Sequence, residues 1–90
     1  MRLPKLRFGD MIKIIWVDIV SNNKWNSKEE VLNSKTASCI YVGMFVSKDS
    51  ECMRCCNTLF LEEGDMDYMI FPLGVIKSIS ILKEVNNVGC

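Results

Sequence analysis

The chain of 90 residues contains no histidine and only two prolines. Without histidine, the Ser-His and Cys-His pairs that activate a nucleophile cannot form, and the commonest proton carrier near neutral pH is missing. The sequence also has no glycine-rich phosphate loop and no zinc-hydrolase pattern. We therefore expect a protein without catalytic activity, without a bound cofactor and without a catalytic metal.

Long apolar runs are absent as well, since the longest, residues 14–20, is interrupted by Asp18. A membrane-spanning helix needs about 18 apolar residues or more. The basic residues 1–7 are not followed by the apolar stretch of a secretory signal. The sequence thus predicts a cytoplasmic protein that contacts no membrane. Its 11 basic and 11 acidic residues balance, but the basic ones are concentrated in the first half and the acidic ones in the second.

The cysteines do not form a recognisable framework. There are five, an odd number: Cys39, Cys52, Cys55, Cys56 and Cys90. Cys52 and Cys55 have the C-x-x-C spacing of a metal or redox pair, but a zinc site normally needs a second pair of this kind. On a strand these two thiols also point to opposite faces. We expect neither a metal site nor a disulfide network.

Most of the chain favours β-strands. Residues 10–20 are rich in β-branched side chains, and both alternating sets of side chains are apolar. Such a strand is covered on both faces, one by the core and the other by a helix, the N-terminal segment or a second subunit. Gly43 indicates a bend in the second strand. The other predicted strands span residues 36–47, 52–61, 68–71 and 75–82.

The segment between the first two strands predicts one short helix. Ser27 and Glu30 have the spacing of a capping box, in which each side chain accepts a hydrogen bond from the other residue's backbone N–H. We expect a helix over residues 28–34. A helix this short is not stable alone, so we expect it to dock on the sheet.

Near the C-terminus, Pro72 and Gly74 interrupt two apolar segments. Pro72 removes a backbone donor and Gly74 permits unusual dihedral angles, which is typical of the corner where a small barrel closes. The sequence therefore predicts a mainly β fold, a five-stranded SH3-like or Sm-like small barrel with one short helix in the insertion between strands 1 and 2. We expect one domain, with a basic segment at 1–9, the barrel at 10–84 and a frayed tail at 85–90.

Four groups of residues carry a resemblance. They are Trp16-Val17-Asp18, the helix led by Trp25, Tyr41-Val42-Gly43 and the segment 70–76. Together they resemble short proteins encoded by phages and prophages. The segment 73–79 also looks like the second signature of Sm-like proteins. That resemblance implies rings formed by pairing the fourth and fifth strands of neighbours, and binding of single-stranded RNA.

We expect a non-enzymatic binding and assembly module that self-associates, with a ring and an RNA contact as the hypotheses that the Sm resemblance implies. The alternative is a monomeric phage accessory protein that binds a single phage or host protein through residues 21–36. Trp25 either covers the barrel or is an exposed contact. Candidate contacts with nucleic acid or a partner are Arg2, Lys5, Arg7, Lys24 and Trp25. Candidate oligomer contacts are Met69, Ile70, Phe71, Val75, Ile76 and Ile79.

Overall fold

A computed structural model of the chain describes residues 3–83. This part is mainly β, with five strands in one antiparallel sheet. The elements are β1 (Met11–Asp18), α1 (Lys28–Asn33), β2 (Ala37–Lys48), β3 (Cys52–Cys56), β4 (Met69–Pro72), a 3₁₀ turn (Leu73–Val75) and β5 (Ile76–Ile81). The strand order is β4-β3-β2-β1-β5. The frayed tail predicted at 85–90 lies outside the described residues.

The central strand β2 holds the sheet together because it pairs with two partners in turn. It pairs with β1 from Ala37 to Met44 and with β3 from Met44 to Lys48. The change of partner falls next to Gly43. A Cβ there would lie 2.5 Å from the Tyr41 hydroxyl and 2.8 Å from the Cys56 carbonyl oxygen. Glycine is therefore required by the close approach of the Tyr41 ring and of β3.

One apolar core lies on the inner face of the sheet. Its buried members are Ile12, Ile14, Tyr41, Phe45, Met53, Cys55, Phe71 and Ile76. The ring of Phe71, on the edge strand β4, meets Trp16 of β1 edge-to-face at a centroid distance of 5.4 Å. Since these strands are separated by two others in the sheet, the sheet must curl strongly around the core.

The sheet is nevertheless open. Among residues 3–83, β4 and β5 are hydrogen-bonded to β3 and β1 but not to each other. The prediction of five strands and one short helix between the first two is confirmed, whereas the sheet does not close into a hydrogen-bonded barrel. The predicted corner is confirmed, because β4 ends at Pro72 and the 3₁₀ turn leads into β5.

The third strand is shorter than the prediction of residues 52–61. It ends at Cys56 because the Asp67 carboxylate accepts hydrogen bonds from the backbone N–H groups of Asn57 and Thr58, at 2.8 and 2.9 Å. These donors are thereby removed from strand pairing. Residues 57–68 form a loop instead.

The N-terminal segment has no regular structure but is attached to the sheet. Leu3 and Leu6 pack against the core. Gly9 donates a backbone hydrogen bond to the carbonyl of Phe45, whose own N–H donates to the carbonyl of Asp10. The basic side chains of this segment are therefore carried on a docked backbone.

The β1–β2 insertion (residues 19–36) behaves differently, because all of its residues are exposed. The predicted capping box is confirmed: the Ser27 hydroxyl accepts from the Glu30 N–H, and the Glu30 carboxylate accepts from the Ser27 N–H, both at 3.1 Å. The prediction that the helix docks on the sheet is wrong. Helix α1 has no buried residue, and Val31 and Leu32 remain mostly exposed.

Candidate interaction surfaces

The outer face of the β1–β2 hairpin carries an apolar strip that is interrupted on β1 by Lys13. Because side chains alternate along a strand, residues opposite each other on paired strands share a face. Ile15 lies opposite Ile40, and Met11 lies opposite Met44. The outer strip comprises Met11, Ile15 and Val17 of β1 and Ile40, Val42 and Met44 of β2.

This strip is only partly covered by the protein itself. Ile40 is 67% exposed, Val42 49% and Met11 45%, whereas Ile12 and Ile14 on the inner face are fully buried. Of the three covers expected for the outer face of the first strand, the helix does not supply one, because none of its residues is buried, and cover by a second subunit stays a prediction. The signal for the strip was present in the sequence, since the outward side chains of the first strand are apolar apart from Lys13.

The insertion is a second exposed apolar region. The side chain of Trp25 is fully exposed, so it does not cover the sheet, and its role as a contact residue stays a prediction. The other exposed apolar residues of the insertion are Ile19, Val20, Val31 and Leu32. Val20 and Val31 line an open groove of about 360 Å³ between the outgoing and returning segments of the insertion.

The predicted oligomer residues divide into two groups. Phe71 and Ile76 are buried members of the core, so their side chains are not available at the surface of the single chain, while pairing of their strands between subunits stays a prediction. Both side chains point inward, because the inner-face residues Met53 and Trp16 lie opposite Phe71 and Ile76. Met69 and Ile70 are exposed, while Val75 and Ile79 are half-buried.

The two strands that carry these residues form the open edges of the sheet. An open edge is a template for pairing with another chain. Strand β4 has four residues and ends in Pro72, and β5 carries Lys77. Short length, proline and lysine are features that natural sheets use to prevent pairing at an edge. The edges are thus less suited to assembly than the sequence predicted.

The candidate polyanion contacts do not form one site. Lys5 and Arg7 precede β1, whereas Lys24 and Trp25 follow it. A strand of this length separates its two ends by about 25 Å. Lys5, Arg7 and Lys24 are exposed, but they lie toward opposite ends of the β1–β2 hairpin, and Arg2 lies outside the described residues.

Two ionisable groups of the core, the Tyr41 hydroxyl and the Cys55 thiol, are kept protonated by their surroundings. Tyr41 donates a hydrogen bond to the Asn57 side-chain oxygen. Burial, together with Cys55, Asp67 and Cys56, raises the pKa of Tyr41 to about 12. Burial beside Cys56 raises the pKa of the Cys55 thiol to about 11. Both groups are protonated at neutral pH, and a protonated, buried thiol is a poor nucleophile.

The turn between β2 and β3 is held by Asp49. Its carboxylate accepts from the backbone N–H groups of Glu51 and Cys52 and forms an ion pair with Arg54 at 2.8 Å. The Arg54 hydrogen bond is the largest cause of the lowered pKa of Asp49. Cys52 and Cys55 lie at positions of opposite parity on β3.

No three side chains of His, Cys, Asp or Glu among residues 3–83 come together as a set of metal ligands. Over the same range, no helix has both the length and the apolar character required to span a membrane.

Comparison with protein-family models, with curated proteins and with solved structures finds no match to this chain. The interaction surfaces must therefore be interpreted from their own geometry.

Proposed function

We propose that the protein is a non-enzymatic assembly module that self-associates, and that its curled, open sheet follows the strand arrangement of SH3-like small barrels. The fold proposal is supported by five antiparallel strands around a single core and by the corner at Pro72 between the last two strands. The contact between Trp16 and Phe71 across the inner face is also consistent with a sheet that curls around one core.

The observation that carries self-association is the exposed outer strip. Apolar side chains that are contiguous on a surface mark interaction sites more often than isolated ones do. Here they occupy neighbouring positions on paired strands, with Ile15 opposite Ile40 and Met11 opposite Met44. A strip of this kind is stabilised when a second apolar surface removes it from water.

Sedimentation equilibrium over a range from low to high micromolar concentration tests this proposal. We expect the mass to rise with concentration to that of a defined oligomer. A mass that stays monomeric throughout would contradict self-association. The ratio of nucleic-acid to protein absorbance in the same purified sample tests the RNA hypothesis, for which the exposed side chains of Lys5 and Arg7 are the support.

A second candidate function is favoured by the full exposure of Trp25. In this alternative a monomeric accessory protein, as the resemblance to phage-encoded proteins implies, binds one protein partner through the insertion. Tryptophan is enriched among the residues that dominate binding energy at protein interfaces. A monomeric mass at all concentrations, together with a fully folded Trp25→Ala variant that no longer binds an identified partner, would select this candidate.

A further inference from the structure

We propose that the insertion of one copy covers the outer strip of a second copy, and that the contact is reciprocal. This inference rests on the proposed self-association and names its surfaces. Each chain then supplies one insertion and one strip, so a two-fold axis satisfies both contacts at once. A closed two-fold arrangement is the commonest symmetry of soluble oligomers.

The two surfaces are continuous along the chain. The outward-facing positions of β1 are Met11, Lys13, Ile15 and Val17, and Ile19 follows two residues later as the first residue of the insertion. The insertion does not cover the outer strip of its own chain, since none of the insertion's residues is buried. A second hairpin lying antiparallel to the first brings each insertion over the other copy's strip.

The exposed apolar area is sufficient for a stable dimer. Four aliphatic side chains of the insertion are exposed, together with Trp25. Full burial of an aliphatic side chain removes about 60–120 Å² from water, and an aromatic one about 150–250 Å². Scaled by the exposed fractions of these side chains, insertion and strip together contribute roughly 650 Å² of apolar area per copy, compared with about 500 Å² of apolar area per partner in a homodimer interface of standard size.

One pair of opposite charges can form between the two surfaces, although the insertion also carries Lys24, Lys28 and Lys35. Lys13 is the charged residue among the outward-facing positions of the paired region of β1 and β2, where it lies opposite Val42. Helix α1 carries Glu29 and Glu30 directly before its apolar pair. The Glu30 carboxylate is occupied by the capping box, which leaves Glu29 as the acidic partner for Lys13 of the other copy. A lysine that loses water at an interface needs such a partner.

Two substitutions test the apolar contact in the full-length chain. Ile40→Glu changes the strip and Trp25→Ala changes the insertion, and both side chains are exposed in the monomer, so the fold should be retained. We expect each to raise the dimer dissociation constant about 30-fold or more, the effect of a dominant interface residue. Leu61→Glu is the matched control: Leu61 is 85% exposed on the 57–68 loop, and its substitution should change the constant less than about threefold.

A charge exchange tests the pairing of the two surfaces. Lys13→Glu and Glu29→Lys should each weaken the dimer about tenfold, because each brings like charges together. The double variant should restore affinity close to that of the wild type. Restoration would not occur if the two residues only affected folding of their own chain.

The outcomes separate this inference from the broader proposal. A dimer that persists in Ile40→Glu and Trp25→Ala but is lost in Ile81→Pro would overturn the insertion contact while keeping self-association. Because the Leu82 N–H donates to Met11 of β1, the Ile81 N–H lies on the open side of β5, and proline removes a donor from that edge. A monomer at every concentration would overturn both. Loss of the dimer in the first two variants, with rescue by the double charge exchange, would establish the contact.

Discussion

The curled sheet and the insertion use apolar residues in opposite ways. In the sheet, Ile12, Ile14 and Phe71 are at most 1% exposed and form one core. In the insertion, Ile19 is 87% exposed and Leu32 72%. The sheet is therefore held by contacts between strands that are distant in sequence. The insertion is held by bonds among near neighbours, of which the Ser27–Glu30 capping box is the clearest.

This difference predicts two levels of stability in one molecule. A helix of a single turn or two is unstable in water without packing, and a segment with few buried contacts opens at a low free energy. The insertion should therefore open locally while the sheet stays folded. Docking on another surface would raise the stability of the insertion. Substitutions in the sheet should therefore change the free energy of unfolding of the whole protein, whereas substitutions in the insertion should change only its local opening.

Phe71→Ala should have the largest effect, because Phe71 contacts both Trp16 and Tyr41 in the core. We expect a loss of about 3–5 kcal/mol in the free energy of unfolding, measured by urea denaturation. Ile70→Ala, the neighbouring residue with a 48% exposed side chain, should cost less than about 1 kcal/mol. Equal losses in the two variants would contradict the distinction between core and surface on β4.

Gly43→Ala should have the next largest effect. The added Cβ would meet the Tyr41 ring at 2.7 Å and the Cys56 carbonyl oxygen at 2.8 Å, and a backbone atom cannot move aside easily. We expect a loss of about 1–3 kcal/mol by urea denaturation, as for other overpacked sites. Gly74→Ala is the control, since no atom lies within 4 Å of its added Cβ. A Gly43→Ala variant as stable as this control would show that β2 and β3 can separate without cost.

Alkaline pH should weaken the sheet through Tyr41. Its pKa is about 12 in the folded chain, above the ordinary tyrosine value of 10.0. The stabilisation is fully present below about pH 10 and is lost as pH rises toward about 12, because only the unfolded chain then releases the proton. Tyr41→Phe should flatten this part of a stability-against-pH curve, apart from a remaining slope from Cys55, whose pKa is also raised. An unchanged slope would exclude this role for Tyr41.

Ser27→Ala should have the smallest effect on the whole protein. It removes the side-chain acceptor for the Glu30 N–H and should destabilise helix α1 by about 1 kcal/mol. Because the helix has no buried residue, the urea midpoint of the monomer should not change. Amide hydrogen exchange at Glu30 and Val31 should become faster. A lower urea midpoint would mean that the insertion supports the sheet after all.

The features predicted correctly from the sequence depend on short-range patterns. A run rich in β-branched side chains identifies β1, the spacing of Ser27 and Glu30 identifies the helix start, and Pro72 identifies the corner. The end of β3 could not be predicted, because Asp67, which removes the donors of Asn57 and Thr58, is about ten residues away.

The candidate surfaces could be predicted only in part, because the exposure of a face also depends on residues that are distant in the sequence. The apolar character of both faces of the first strand was evident, but which face remains open depends on where the insertion goes. The apolar pair Val31 and Leu32 gives the same sequence pattern whether the two side chains pack on their own sheet or on another molecule. Likewise, Phe71 and Ile76 follow an apolar pattern whether they meet a core or a neighbouring subunit. Their burial follows from the curl of the sheet, which is a property of all five strands together.

The Asp49 turn has a consequence for the order in which the chain folds. Residues 49–51 connect β2 to β3, whereas residues 19–36 connect β1 to β2, a loop about six times longer, whose closure costs about 1.5 kcal/mol more in entropy. We expect the β2–β3 hairpin to form before β1 is added, so that the chain acquires its structure from the middle outward. Kinetic measurements on Asp49→Ala should then show slower refolding and a φ-value near one, while Ser27→Ala leaves the refolding rate unchanged.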